Sequence, residues 1–171
     1  MPLIQRAACA ISTGVQRYLG VGKTQLRYRF WSGSALDNPV VVYVHGIEGH
    51  SQWFDRSATQ LSSYGINVYA ADRRGAALNR DKADRLLTYK VLLDDLNLFV
   101  HEIKSQNPSS PLILFGNCWG AILSLIYSKT VCEEAAANSE RARYLPANYI
   151  PIDGLILSCY WMTAAQSYSM L

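Results

Sequence analysis

The chain has 171 residues, half of them hydrophobic and 17% charged, with a formal net charge of +3 at pH 7. These values exclude a disordered chain and leave room for one domain with a sizeable core, while so small and scattered a charge gives no footprint for nucleic acid or an anionic membrane. The cysteines at positions 9, 118, 132 and 159 show neither a C-x-x-C nor a Cys/His ligand spacing, so no metal and no cofactor is expected and the thiols are read as free in a reducing, cytoplasmic compartment.

In residues 1–24, Arg6 and Arg17 flank an apolar run that Ser12, Thr13 and Gly14 interrupt. It is too broken for a secretory signal and too short for a membrane span, and is expected to be a helical extension packed on a domain at 25–171. Gly22-Lys23-Thr24 has the ending of a phosphate-binding loop, but Arg17 stands where its first glycine belongs, so nucleotide binding is rejected. Gln25 to Trp31 alternates Leu26, Tyr28 and Phe30 on one face, as an early strand would. Pro39 to Val44 is a continuous β-branched run, which predicts a strand covered on both faces. Trp53 to Ser63 reads as a helix closed by Gly65, and Ile66 to Ala71 as the next strand. From Tyr89 to Gln106, apolar residues at 92, 93, 96, 99, 100 and 103 trace a helical stripe. Leu112 to Phe115 is a buried strand, the residues after Gly120 a helix, 132–148 a polar, alanine-rich stretch helical in part, and Gly154 to Tyr160 a last strand. Alternating strands and helices with continuous apolar strands predict an α/β fold: a doubly wound, mostly parallel sheet with helices on both faces. Ligands bind such sheets beyond the carboxyl ends of the strands.

Three motifs fall at those ends: His45-Gly46, Asp72-Arg73-Arg74-Gly75 and Gly116-x-Cys118-x-Gly120. The last is the nucleophile-elbow pattern with a thiol in place of the hydroxyl. A strained strand-to-helix turn needs small residues on either side of the nucleophile, so that strand and helix backbones can pass closely. His101 lies in a predicted helix and is read as a solvated face residue.

In this order, the motifs resemble the α/β-hydrolase superfamily, in its monoacylglycerol lipase, lysophospholipase and serine-aminopeptidase-like branch. His45-Gly46-Ile47-Glu48-Gly49-His50 resembles the branch's HGxxxH loop. Asp72 to Asn79 resembles its D-x-R-G-x-G-x-S segment, with Ala77 and Asn79 replacing the second glycine and the serine. The resemblance runs from about Gln25 to Trp161 and implies ester or amide hydrolysis on lipid-like acyl substrates. It implies that Cys118 is the nucleophile and that the backbone N–H groups of Ile47 and Trp119 form the oxyanion hole. His45 and His50 would shape the oxyanion loop, and Asp72 and Arg74 would pair at the strand end.

Two departures follow. Cysteine replaces serine, as in dienelactone hydrolases and polyhydroxyalkanoate synthases, and attacks as a thiolate. No histidine follows Cys118, and the downstream acids are Glu133, Glu134, Glu140 and Asp153, the last of which precedes its strand. The chain therefore reads as an incomplete hydrolase core, without cap, acid or base. Loss of the base alone removes about six orders of magnitude in turnover, so the chain is expected to be inactive by itself. The alternatives are a non-catalytic interaction module on the same fold and a cysteine-dependent acyltransferase once completed. The expected partner, once the chain is complete, is a small acyl ester or lipid-like substrate. Self-association through the unpaired edge of the last strand is a further expectation.

Overall fold

Period-two and β-branched segments become strands, and the 3.6-residue stripe becomes a helix, in a computed structural model that describes residues 14–21, 24–33, 38–82, 88–135 and 149–158. In chain order these are β1 (Val15–Val21), β2 (Thr24–Trp31), β3 (Val40–Val44), α1 (Asp55–Ser63), β4 (Asn67–Ala71), α2 (Tyr89–Gln106), β5 (Leu112–Asn117), α3 (Trp119–Ala135) and β6 (Gly154–Ser158). Short 3₁₀ turns, Ser51–Phe54 and Ala77–Lys82, precede α1 and follow β4.

The strands form one sheet in the order β1-β2-β4-β3-β5-β6. β1 pairs with β2, and β2 with β4, antiparallel, and all the other pairs are parallel. At the centre, Val42 stands opposite Tyr69 on one side and Leu114 on the other. One face buries Val40, Val42, Leu112 and Leu114 under α2 and α3, through Leu96, Phe99, Ile103, Leu123 and Tyr127. The opposite face buries Trp31, Val41, Tyr43 and Val68 under Phe54 of the 3₁₀ turn and Ala58 of α1. Layers on both sides are what a central strand apolar on both faces requires, and the doubly wound expectation holds.

The expected helix over 1–24 is corrected in its second half. Residues 1–13, 22 and 23 lie outside the described residues, but Val15–Val21 is a strand in register with β2, Val15 opposite Phe30 and Leu19 opposite Leu26. The reason is tertiary. Pairing with β2 satisfies the backbone and buries Leu19, while Arg17 lays its guanidinium 4.0 Å from the centre of the Phe30 ring. The predicted helix over 53–63 starts as a 3₁₀ turn and becomes α-helical only at Asp55. Gly65, at φ 88°, ends it as expected. Tyr89–Gln106 is helical over the predicted range, with Thr88 capping it by accepting a hydrogen bond from the Val91 N–H. Residues 136–148 and the predicted continuation of β6 through Tyr160 lie outside the described residues.

After β4 the chain turns back through Ala77, whose φ is 35°. A left-handed conformation strains any residue with a Cβ by about 1–2 kcal/mol, and the position corresponds to the second glycine of the D-x-R-G-x-G pattern. Ala77→Gly is therefore expected to raise stability by about 1 kcal/mol, or roughly 2–4 °C in melting temperature. Thermal unfolding followed by circular dichroism checks this; a lower melting temperature would contradict it.

Candidate active site

β5 delivers the chain to the site and α3 carries it away, and the turn between them leaves no space for side chains. A Cβ on Gly116 would lie 2.5 Å from the Gly120 carbonyl oxygen, and one on Gly120 would lie 2.2 Å from the Val44 carbonyl oxygen and 2.6 Å from that of His45. Cys118 lies between them at φ 54°, a left-handed conformation costly for a non-glycine residue. The bend is held from both sides. The Cys118 N–H donates to the Ser158 carbonyl of β6 at 2.7 Å, and the Ala121 N–H donates to the Cys118 carbonyl at 3.0 Å. The thiol is exposed.

The loop after β3 faces this thiol. A Cβ on Gly46 would lie 3.0 Å from Cys118 Cβ and 3.6 Å from its Sγ, so only glycine lets the loop come so close. Gly46, Ile47, Trp53, Tyr43 and Asn117 join Cys118 around a pocket of about 170 Å³. Ile47 and Trp53 expose apolar surface at its rim. Trp119 is the first residue of α3, and the first amides of a helix have no partner within it. The structure thus brings Cys118, Gly46 and Ile47 around one pocket, with Trp119 next in the chain.

His45 is buried, and its partners define its state. Nε2 accepts the Arg73 N–H at 3.1 Å, which places the proton on Nδ1, where it faces the Gly46 carbonyl at 2.7 Å. Burial pushes its pKa below the usual histidine value, with the Gly46 carbonyl and Asp72 pulling the other way. His45 therefore works as a neutral strut that ties the Gly46 loop to the loop after β4. His50 is not placed with it. Its ring packs 5.5 Å from that of Trp53, and it faces a neighbouring cleft, not the Cys118 pocket. His101 is exposed on α2.

The expected pairing of Asp72 with Arg74 is corrected. Asp72, almost fully buried, accepts backbone N–H groups of Ser51 at 2.6 Å and Leu78 at 3.1 Å. Arg74 instead turns to α2, where Nε and Nη2 meet the two carboxylate oxygens of Asp95 at 2.5 and 2.8 Å. The reason is competing partners: backbone amides from the turn before α1 and from the loop after β4 take up the Asp72 oxygens, while Asp95 on α2 offers Arg74 both of its own. Asp95 was legible as a charged residue within the apolar stripe of α2, where an acid needs a partner. Asn79 was not foreseen. Fully buried, it accepts the Arg27 N–H at 2.8 Å and donates to the carbonyls of Arg27 and Asp72, sewing the loop to β2. Arg73 was not foreseen either; its Nη2 donates to the Ile47 carbonyl and its guanidinium lies 5.9 Å from the centre of the Trp119 ring.

Among the described residues, no group of three or more His, Cys, Asp or Glu side chains is placed to hold a metal ion, and no helix is long and apolar enough to cross a membrane. Cys118 and Cys132 are free thiols.

Residues 37–139 match the family model for serine aminopeptidase, S33. A monoglyceride lipase homolog of Monkeypox virus is 28% identical over 105 residues, which is 57% of this chain and 36% of that protein. An uncharacterized abhydrolase domain-containing protein of Dictyostelium discoideum is 23% identical over 118 residues, 69% of this chain and 12% of that one. The chain thus spans well under half the length of these curated relatives. Among solved structures, a carboxyl esterase from Bacillus coagulans superimposes with a TM-score of 0.62 at 19% identity, covering 85% of this chain and 44% of the esterase. A monoglyceride lipase from Saccharomyces cerevisiae gives 0.58 at 21% identity, covering 72% and 40%. XC6422 from Xanthomonas campestris, a serine hydrolase without lid, gives 0.60 at 16% identity, covering 93% and 80%. At these identities the superpositions establish the α/β-hydrolase fold.

Proposed function

Because the chain belongs to the serine aminopeptidase S33 family of α/β hydrolases, we propose that it attacks acyl esters through Cys118, with the Ile47 and Trp119 amides as oxyanion donors. The observation that carries this reading is a non-glycine residue held at φ 54° with its sulfur exposed and the Gly46 backbone packed against it. Strain of that kind persists only where the surroundings enforce it, and it concentrates at functional turns.

The step is a thiolate attack on the ester carbonyl. A sulfur–carbon bond forms, the carbonyl oxygen takes up negative charge opposite the two amides, and the alkoxide leaves with the electron pair as the carbonyl re-forms. Hydrolysis of the resulting thioester needs a base to activate water. His45 Nε2 is already occupied by Arg73, His50 faces another cleft, His101 lies exposed on α2, and no histidine follows Cys118 in these 171 residues. The 171-residue chain is thus proposed to acylate once and stop. An exposed thiol of this kind fits a reducing, cytoplasmic location.

The test uses a p-nitrophenyl ester of a short acyl chain. One equivalent of p-nitrophenolate per chain is expected, with the acyl group mapped by mass spectrometry to Cys118 and the burst lost in Cys118→Ala. Steady turnover that depends on Cys118 would refute the single-acylation claim, and an adduct confined to other residues would refute the nucleophile.

A further inference from the structure

Two consecutive arginines follow β4 and the fold treats them differently. Arg74 is neutralised by the two-point contact with Asp95. Arg73 is not: among the described residues no carboxylate lies within ion-pair distance of it. Of its five N–H donors, Nη2 meets the Ile47 carbonyl, while Nε is buried without a partner. Burial also holds its guanidinium below the usual arginine pKa. An unpaired, partly desolvated cation is costly unless something supplies the opposite charge.

Arg73 lines a cleft of about 390 Å³ between the 47–50 loop and the 75–80 turn. Arg80 and His50 line it too, and Arg80 makes no ion pair among the described residues. Glu48 is the one acid among the lining residues, against two guanidiniums. The cleft shares Ile47, Glu48 and Gly49 with the Cys118 pocket, so the two cavities adjoin along one loop. Planar guanidinium forks match the oxygens of carboxylates and phosphates. We propose that this cleft is an anion subsite, which takes the carboxylate or phosphate group of an acyl compound whose carbonyl reaches Cys118. The proposal rests on the assignment of Cys118 made above and narrows its substrate class to anionic acyl compounds.

Alkylation of Cys118 reads the subsite without any turnover. Iodoacetate and iodoacetamide differ by a negative charge, and their rates at Cys118 can be followed by peptide mapping on the 171-residue chain at low salt. The iodoacetate-to-iodoacetamide rate ratio is expected to exceed that of Cys118 in the urea-unfolded chain by about fivefold or more, and to fall on adding salt. Arg73→Gln and Arg80→Gln should each lower the ratio. Among the described residues the side-chain bond to the Ile47 carbonyl comes from Arg73 and not from Arg80, so the Arg80 variant separates charge from support of the loop. Inorganic phosphate should slow alkylation of the wild type and not of Arg80→Gln. Hexyl phosphate protecting at far lower concentration than inorganic phosphate assigns the subsite to a ligand whose hydrocarbon chain extends from the anion, as an anionic acyl compound's does, and equal protection assigns it to a free anion and overturns that substrate class. A Cys118 that reacts with iodoacetamide but shows no anionic preference overturns the subsite and leaves the nucleophile standing. A ratio that neither arginine variant changes also overturns it, and a Cys118 inert to both reagents overturns the subsite and the nucleophile together.

Discussion

Asp95→Ala is expected to destabilise the protein by about 3–5 kcal/mol, because it removes the two-point carboxylate contact of the largely buried Arg74 guanidinium. Side chains at this pair are 16% and 9% exposed, and both carboxylate oxygens are engaged at 2.5 and 2.8 Å. For a domain of this size that corresponds to roughly 10 °C or more in melting temperature. The paired replacement Arg74→Met with Asp95→Leu is expected to recover most of the loss, since two apolar side chains need no hydrogen-bond partners and a buried ion pair gains little over them. Urea unfolding of the two variants checks both statements. A single variant that costs less than about 1 kcal/mol would place this pair among ordinary surface ion pairs.

Gly120→Ala carries the next largest expected effect and strikes the site directly. The added methyl would stand 2.2 Å from one backbone oxygen and 2.6 Å from another, and neither belongs to a side chain that can swing aside. Either β3 or the start of α3 must move, at a cost of about 3 kcal/mol. Gly154→Ala is the control, because there the nearest atom is a side-chain carbon of Ile113 at 3.4 Å, an ordinary contact. It is expected to change stability by less than about 1 kcal/mol. If the two alanine variants melt together, the crowding that defines the turn at Cys118 is wrong. The same displacement should slow Cys118 alkylation in folded Gly120→Ala by altering the face that Gly46 presents to the sulfur.

Much of the site was legible in the sequence because its constraints are local. Gly116 and Gly120 flank Cys118 at a spacing that matters only when strand and helix backbones touch, and contacts of 2.2 to 2.6 Å at hypothetical Cβ atoms show that they do. The β-branched run before His45 and the stripe of α2 likewise announce their partners, since burial on two faces or on one face writes a different period. Residues whose role depends on a distant partner were not legible in this way. Asp72 and Arg74 are opposite charges two positions apart, yet one accepts backbone amides from the turn before α1 and from its own loop, and the other crosses to α2. Nothing in residues 15–21 separates an amphipathic helix from an edge strand until β2 offers its open edge.

The sequence by itself determined the alternation of strands and helices, the covered sheet and the three motifs at its carboxyl ends, because hydrophobic period and glycine spacing are properties of neighbours along the chain. Tertiary structure alone decided which acid meets which arginine, that His45 is a neutral strut whose second nitrogen is already occupied, and that His50 opens onto a different cleft from Cys118. Those outcomes depend on directions in space between segments far apart in the chain, and side-chain charge or type at one position carries no record of them.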